Sequence, residues 1–496
     1  MFLLVVLAGA LTVVYLLTLW LKDWYSFWKK MDAPYEEPDL FYGNLTSVAK
    51  KMDHLGGSMQ KIYEKFKGRA PFVGIYMFLK PAALLVDLEL VKNVLIKDFN
   101  YFHDRGVFYN EKDDPISAHL FALQGPKWKL LRNKLSPTFT SGKMKMMFPT
   151  IVDIAKRFEA TIDEVAERDA DLDIKKLMAR FTVEVIGVCA FGLDCNSVAD
   201  ENSEFYRVGL SVFSNPRHSF PVDLLMIAYR ELARKIGCKR FRDEVSDFYT
   251  RVVKSTVSFR TANDVHRHDF MELLIDLYQR QDDNKITFNE LLAQAFVFFI
   301  AGFETSSTTL QFCFYELAAN PDIQTKARNH INEVLERHGG DLTYEAMMDM
   351  KYLDQIINET LRLYPPVMSL FRETDKDYPV PGTNFILKKG VTVLIPAFAI
   401  QRDPDVYPNP LKFDPDHFSE ENMKGRTPVA FLPFGEGPRI CIGARFGMMQ
   451  VRVALITALR KYKYSLSPKT KSPLELSKNA FITSPVGGIW LNVESL

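Results

Sequence analysis

Met1 to Leu21 is an unbroken run of apolar or uncharged residues, and such a run has few fates. At a helical rise of about 1.5 Å per residue it spans about 31 Å, against a bilayer hydrocarbon core of about 30 Å. A cleaved leader wants a basic start, a shorter apolar run and a small-x-small site at its end, and Ala8 and Ala10 come too early for one. Lys22, Lys29 and Lys30 follow, with Trp20, Trp24, Tyr25 and Trp28 as interfacial aromatics, so the reading is a transmembrane anchor over 1–21 with the body of the chain in the cytoplasm. Pro34, Pro38 and Gly43 interrupt helix and stiffen a linker over 22–44, so the globular domain is expected over 45–496.

With 496 residues, 47% hydrophobic and 25% charged, the chain can build a deep core around a buried cofactor. Neither a Gly/Ser/Pro-rich divider nor a repeat follows residue 45, so one large domain is expected. A net charge of +1 gives no bulk attraction for nucleic acid. Cys189, Cys195, Cys238, Cys313 and Cys441 are odd in number and lack CxxC spacing, which excludes a disulfide scaffold or zinc site and fits a reducing compartment. The pattern is mainly α with a small β region: amphipathic helices to about Leu370, a strand-like patch at Phe72 to Val86, turns and short strands after Glu373, and one last helix after Gly443. Thr287-x-x-Glu290 forms a capping box, after which Leu291 to Leu310 runs apolar almost all round. Gln294, Glu304 and Thr305 interrupt that helix, so it is expected to cross a protein core rather than a membrane.

The strongest chemical signal is Phe434-Gly-Glu-Gly437-Pro-Arg439-Ile-Cys441-Ile-Gly443, just before a helical stretch. Gly437 and Gly443 permit backbone conformations that aim N–H groups at the sulfur, and the following helix contributes positive dipole, so the thiolate is favoured. A phosphate loop is a competing reading, but Ile440 stands at the third glycine of GxGxxG and no Lys-Ser/Thr follows. An ordinary structural turn with a buried cysteine is the other. The segment Phe434-x-x-Gly437-x-Arg439-x-Cys441-x-Gly443 resembles the cysteine-ligand signature of the cytochromes P450. That resemblance implies haem b (iron protoporphyrin IX) with Cys441 as the iron's thiolate ligand, Phe434 covering the sulfur, and Arg439 at a haem propionate.

Three further segments are similar to family elements. Glu359-x-x-Arg362 puts both charges on one helical face, where they can hold the chain that forms the cysteine loop. The family's partner for that pair is an arginine in Pro-x-Arg-Phe; here Pro415-Asp-His417-Phe418 offers His417, which can hydrogen-bond Glu359 but lacks the guanidinium fork. On that reading His417→Arg should raise haem retention or thermal stability. Ala301-Gly302-Phe-Glu304-Thr305 resembles the oxygen-binding turn: Ala301 and Gly302 leave room beside the iron, Thr305 hydrogen-bonds the bound oxygen and Glu304 relays protons. A threonine bonded to its own i−4 carbonyl is the alternative. Trp128-x-x-x-Arg132, Arg372 and Arg105 resemble propionate contacts.

Asp114 to Phe121, Leu135 to Gly142 and Arg445 to Gln450 carry a closer resemblance, to the insect family 6 microsomal enzymes. It implies the cytochrome P450 fold, a single haem domain behind its anchor in the endoplasmic reticulum membrane, and oxidation by O2 of small lipophilic compounds such as plant toxins, insecticides or endogenous lipids. Phe108, Phe121, Phe213, Phe299, Ala301, Val367, Leu370 and Phe481 are the implied pocket residues, and Phe213 to Ile227 is apolar enough to dip into the membrane. The chain has no Rossmann fingerprint, so electrons must come from a separate NADPH-cytochrome P450 reductase, with cytochrome b5 as a second candidate. Lys127, Lys129, Lys134, Lys143 and Lys145 could dock an acidic partner or form a solvated basic face. A haem-thiolate isomerase or dehydratase needing no reductase is the runner-up, against which the intact Glu304-Thr305 pair argues; a non-catalytic haem binder would have no use for that pair.

Overall fold

The capping box forms as the sequence requires: Thr287 Oγ1 accepts from Glu290 N at 3.2 Å, and Glu290 Oε2 accepts from Thr287 N at 2.7 Å. From it runs the central helix, Phe288–Ala319, 32 residues and about 48 Å long, most of its side chains buried. Its burial lapses at one turn, where Ala301 is exposed and Gly302, Glu304 and Thr305 are half-buried. The computed structural model describes residues 1–168 and 170–496, apart from the side chains of 220 and 221. Its contacts divide the chain into two units interleaved in sequence: 1–106, 368–400 and 436–439, and a larger unit of 107–367, 401–435 and 440–496.

The smaller unit is built on a four-stranded sheet. Phe72–Met77 and Lys80–Leu85 form an antiparallel hairpin, resolving the strand-like patch into two strands; Thr392–Ile395 adds in parallel and Leu370–Glu373 antiparallel to that. The apolar N-terminus is a helix, Phe2–Trp24, none of whose side chains is buried and which is long enough to cross a membrane. The residues after it depart from expectation. Tyr25 and Trp28 are core residues, not interfacial ones: the Trp28 indole donates to Ile75 O at 3.0 Å, and the Tyr76 hydroxyl donates to Tyr25 O at 2.7 Å. Trp28 lies over Gly74, where a Cβ would overlap its ring, so a glycine in a strand makes room for an indole. The expected linker is likewise pinned, with Tyr35 bridged to Gly74 and Gly43 to Met77.

The larger unit packs helices around the central one. Ile174–Ile186 and Ala444–Lys461 lie against it, the latter starting directly after Gly443. A three-stranded sheet of Leu172–Asp173, Trp490–Ser495 and Tyr462–Leu466 closes the chain's end.

Candidate functional site

The cysteine loop is held by backbone geometry. Cys441 N donates to Phe434 O at 2.9 Å, closing the loop, and the sulfur-bearing residue is exposed. Gly437 has φ +72°, and a Cβ on it would overlap the Leu95 carbonyl within the smaller unit, so only glycine fits. The second left-handed glycine is Gly435, at φ +71°, and not Gly443. Gly443 sits at φ −90°, open to any residue, and caps the helix Ala444–Lys461. Burial pushes the thiols of Cys189, Cys195 and Cys313 up, the last to about 12, which keeps them protonated and inert.

Behind the loop stands a saturated ion cluster. Glu359 and Arg362, on the helix Lys351–Leu363, are both fully buried and bonded in a fork: Nε to Oε2 and Nη2 to Oε1, each 2.7 Å. The remaining guanidinium protons go to the carbonyls of Gln401 (2.9 Å), Pro410 (2.7 Å) and Lys412 (3.2 Å), so all five N–H donors are used. Glu359 Oε1 also accepts from Asp414 N at 2.9 Å and pairs with His417 Nδ1 at 3.1 Å. Burial pushes the Glu359 carboxyl up, but the hydrogen bonds from Arg362 and His417 outweigh it and hold it below the ordinary value. His417 Nε2 lies 2.8 Å from Pro408 O, so the ring bridges the Glu359 carboxylate and a backbone carbonyl. That geometry removes the reason for expecting arginine to serve better there.

Gln401, which sequence reasoning missed, links this cluster to the loop. Its amide donates to Leu361 O and Arg362 O, each at 3.0 Å, and its Oε1 accepts from Leu432 N at 2.8 Å, two residues before Phe434. Gln450 does the same between the cysteine helix and the central helix: Nε2 donates to Gly302 O at 3.0 Å and lies 2.6 Å from Ser306 Oγ. Thr182 Oγ1 donates to Phe303 O at 3.1 Å. Two successive carbonyls of the exposed turn are thus gripped by neighbouring helices. A polar residue inside an otherwise apolar stretch was the available signal for both glutamines.

Within that turn, Ala301 is exposed. Gly302 is not: a Cβ there would run into Ile186, so its missing side chain serves helix packing and not room beside the iron. Thr305 Oγ1 donates to Ala301 O at 2.7 Å, the i−4 bond, and keeps acceptor capacity on its oxygen. Glu304 Oε1 accepts from Lys175 Nζ at 2.8 Å.

The propionate candidates divide between the units. In the larger, Trp128 is buried and Arg132 half-buried on Gly125–Leu135; burial draws the Arg132 guanidinium down, and nearby Cys441 offsets this only in part. In the smaller, Arg439 is spent on protein, donating to His103 O at 2.6 Å and pairing with Asp104 at 3.2 Å. Arg105 donates to Arg439 O at 3.0 Å. Arg372 is 2% exposed, donates to Phe371 O, and leaves Nε with no partner; burial alone pulls it down to about 10. A buried guanidinium with an unfilled donor fits an acidic cofactor group. In the larger unit taken by itself, an exposed Cys441, an exposed Ala301 in a mid-core helix and the Trp128–Arg132 pair make a donor set that fits haem.

The pocket candidates separate as well. Phe299 is fully buried among Phe191, Phe205, Tyr249 and Phe303, and Phe108 packs on Met226 and Ala233, so both are core residues and not ligand-facing ones. Phe121, Phe213 and Phe481 are exposed, while Val367 and, in the smaller unit, Leu370 are half-buried. Thr483 N donates to Pro366 O at 3.0 Å, which brings the Phe481 and Val367 segments together. In the segment 213–227, Phe213 and Ile227 are exposed and Met226 is buried, while the side chains of 220 and 221 lie outside those described. Of the five lysines, Lys127 is paired with Glu111, Lys145 with Glu345, and Lys134 caps the carbonyls of Asp283 and Lys285. Two of the five charges, those of Lys127 and Lys145, are thus paired with glutamates.

A family model described as Cytochrome P450 matches residues 34–492. Cytochrome P450 6a8 of Drosophila melanogaster is 46% identical over 497 residues, covering 98% of each chain. Probable cytochrome P450 6a18 of the same organism is 47% identical over 482 residues, covering 95% of each. The signature residues therefore sit in a chain that matches along nearly its whole length, and this protein belongs to the cytochrome P450 family, similar to its insect family 6 members.

Proposed function

We propose that this chain is a membrane-anchored monooxygenase of the unspecific type, using haem b, O2 and electrons from NADPH to insert one oxygen atom into small lipophilic compounds. The balance is substrate, O2, NADPH and a proton to oxidised substrate, water and NADP+. The electrons arrive through NADPH-cytochrome P450 reductase, with cytochrome b5 as an auxiliary donor. On this reading residues 1–21 anchor the protein in the endoplasmic reticulum membrane, and the catalytic domain faces the cytoplasm together with the segment 28–43 that packs on its sheet. The observation that carries this reading is Gln450, which ties the helix that follows Cys441 directly to the Gly302 carbonyl of the Ala301–Thr305 turn.

When bound, the haem supplies the site at which O2 is reduced and its bond broken, with thiolate electron density favouring that cleavage. The chain's residues do the rest. The cysteine loop fixes Cys441, and the buried cluster behind it keeps the loop from moving. Arg132 and Trp128 orient acidic cofactor groups in the larger unit. Ala301 leaves space, Thr305 offers its hydroxyl oxygen as acceptor, and Glu304 is the proton source beside it. Phe121, Phe213, Val367 and Phe481 exclude water from an apolar ligand.

The test is turnover of a lipophilic panel by the full chain with added reductase under O2. NADPH-dependent oxidised product supports the reading. Peroxide rearrangement without reductase, and no oxidised product, would favour the isomerase.

A further inference from the structure

Lys175 lies in the first turn of Ile174–Ile186, where a helix favours acidic side chains and disfavours cations. Its ammonium nonetheless reaches the central helix and spends all three protons there: Glu304 Oε1 at 2.8 Å, Ser307 Oγ at 2.9 Å and Thr308 Oγ1 at 3.2 Å. Glu304 is 13% exposed and Lys175 25%, so the ammonium is the more solvent-facing member. The other carboxylate oxygen, Glu304 Oε2, is buried and has no partner. A carboxylate held by one oxygen and bare at the other can still move, unlike one satisfied at both.

Resting on the monooxygenase reading, we propose that Lys175 is a positioning residue for proton delivery: it tethers Glu304 by Oε1 and leaves Oε2 as the oxygen through which Glu304 feeds the Thr305 turn. In each transfer the Glu304 carboxyl gives up a proton toward that turn and the carboxylate regains one from solvent water. Lys175, with no lone pair while protonated, passes none itself. Among the described residues, the other titratable groups facing this corner are Asp173, which caps the Lys175 helix, and Tyr206 on Glu204–Ser214. The Tyr206 phenol is pushed up to about 12, first by burial and then by Asp173, with Glu201 and Glu304 adding and Arg180 opposing. From the cysteine helix, neutral Gln450 is the neighbour.

The test compares the full haem-loaded wild type with K175M, K175R and E304Q. Infrared difference spectra against pH follow the carboxyl band that E304Q lacks. In parallel, product per NADPH is measured against pH with an alkoxycoumarin probe and added reductase. Removing an opposite charge favours the protonated acid, so K175M should move both midpoints to higher pH by about 1 to 3 units, and K175R should restore them. Unmoved midpoints in K175M, with wild-type coupling, would overturn the proposal. If the infrared midpoint moves but wild type makes no product from any probe, the tether stands and the monooxygenase reading falls.

Discussion

Glu359 and Glu304 are both glutamates on helices of the larger unit, each held by a cation, but their surroundings differ in every other respect. Glu359 is fully buried, forked onto Arg362, and bonded to Asp414 N and His417 as well. Glu304 is paired at one oxygen with a partly exposed lysine and bare at the other. A buried charge is tolerated only when all its donors or acceptors are met, and then it is rigid. A half-satisfied charge near solvent costs less to break and suits a group that must change partners and protonation. On the proposed function, the two pairs divide scaffold from chemistry.

The sharpest way to break that contrast is Arg362→Ala, which strands a buried carboxylate and should cost about 3–5 kcal/mol, abolishing haem retention. The Glu359 carboxyl is held below its ordinary value. Its stabilising contribution is therefore present above the unfolded value of about 4.3 and lost as pH falls through the lower folded one. Haem absorbance in wild type should accordingly survive the pH at which an ordinary glutamate protonates and be lost only at lower pH. Thr305→Ala comes next on the chemical side: product per NADPH should fall about a hundredfold while haem retention and melting stay as in wild type. His417→Ala should lower stability by about 2 kcal/mol by taking a donor from a charged acceptor, and His417→Arg should bring no gain, both read from thermal unfolding with haem bound. Lys175→Met should cost less stability than Arg362→Ala by denaturant unfolding, because its pair keeps some solvent exposure where Glu359 and Arg362 have none. A loss as large as that of R362A would erase the distinction between the pairs.

What the sequence revealed and what it hid follow one physical line. Local devices were legible: the Thr287–Glu290 capping box, the i,i+3 fork of Glu359 and Arg362, and the helix start after Gly443 depend on near neighbours. The residues missed act at long range. Gln401 reaches Leu432 31 residues away, Lys175 reaches Glu304 across 129, and Gln450 reaches Gly302 across 148. Nothing in a polar residue's immediate surroundings names such a partner. Gly302 misled for the same reason: it is set by Ile186, far off in sequence. Aromatic residues after an apolar helix suit an interface or a core equally well, and only the sheet beneath them decided for Tyr25 and Trp28.

The account rests on Cys441 as the thiolate that holds haem iron, and the absorption spectrum of the reduced carbon-monoxide complex tests this most directly. The full chain should give the red-shifted thiolate band, each of Cys189→Ala, Cys195→Ala, Cys238→Ala and Cys313→Ala should keep it, and Cys441→Ser should lose it while other ligands give an unshifted band. A thiolate band that persists in Cys441→Ser, or vanishes in one of the other four with haem still bound, would contradict it.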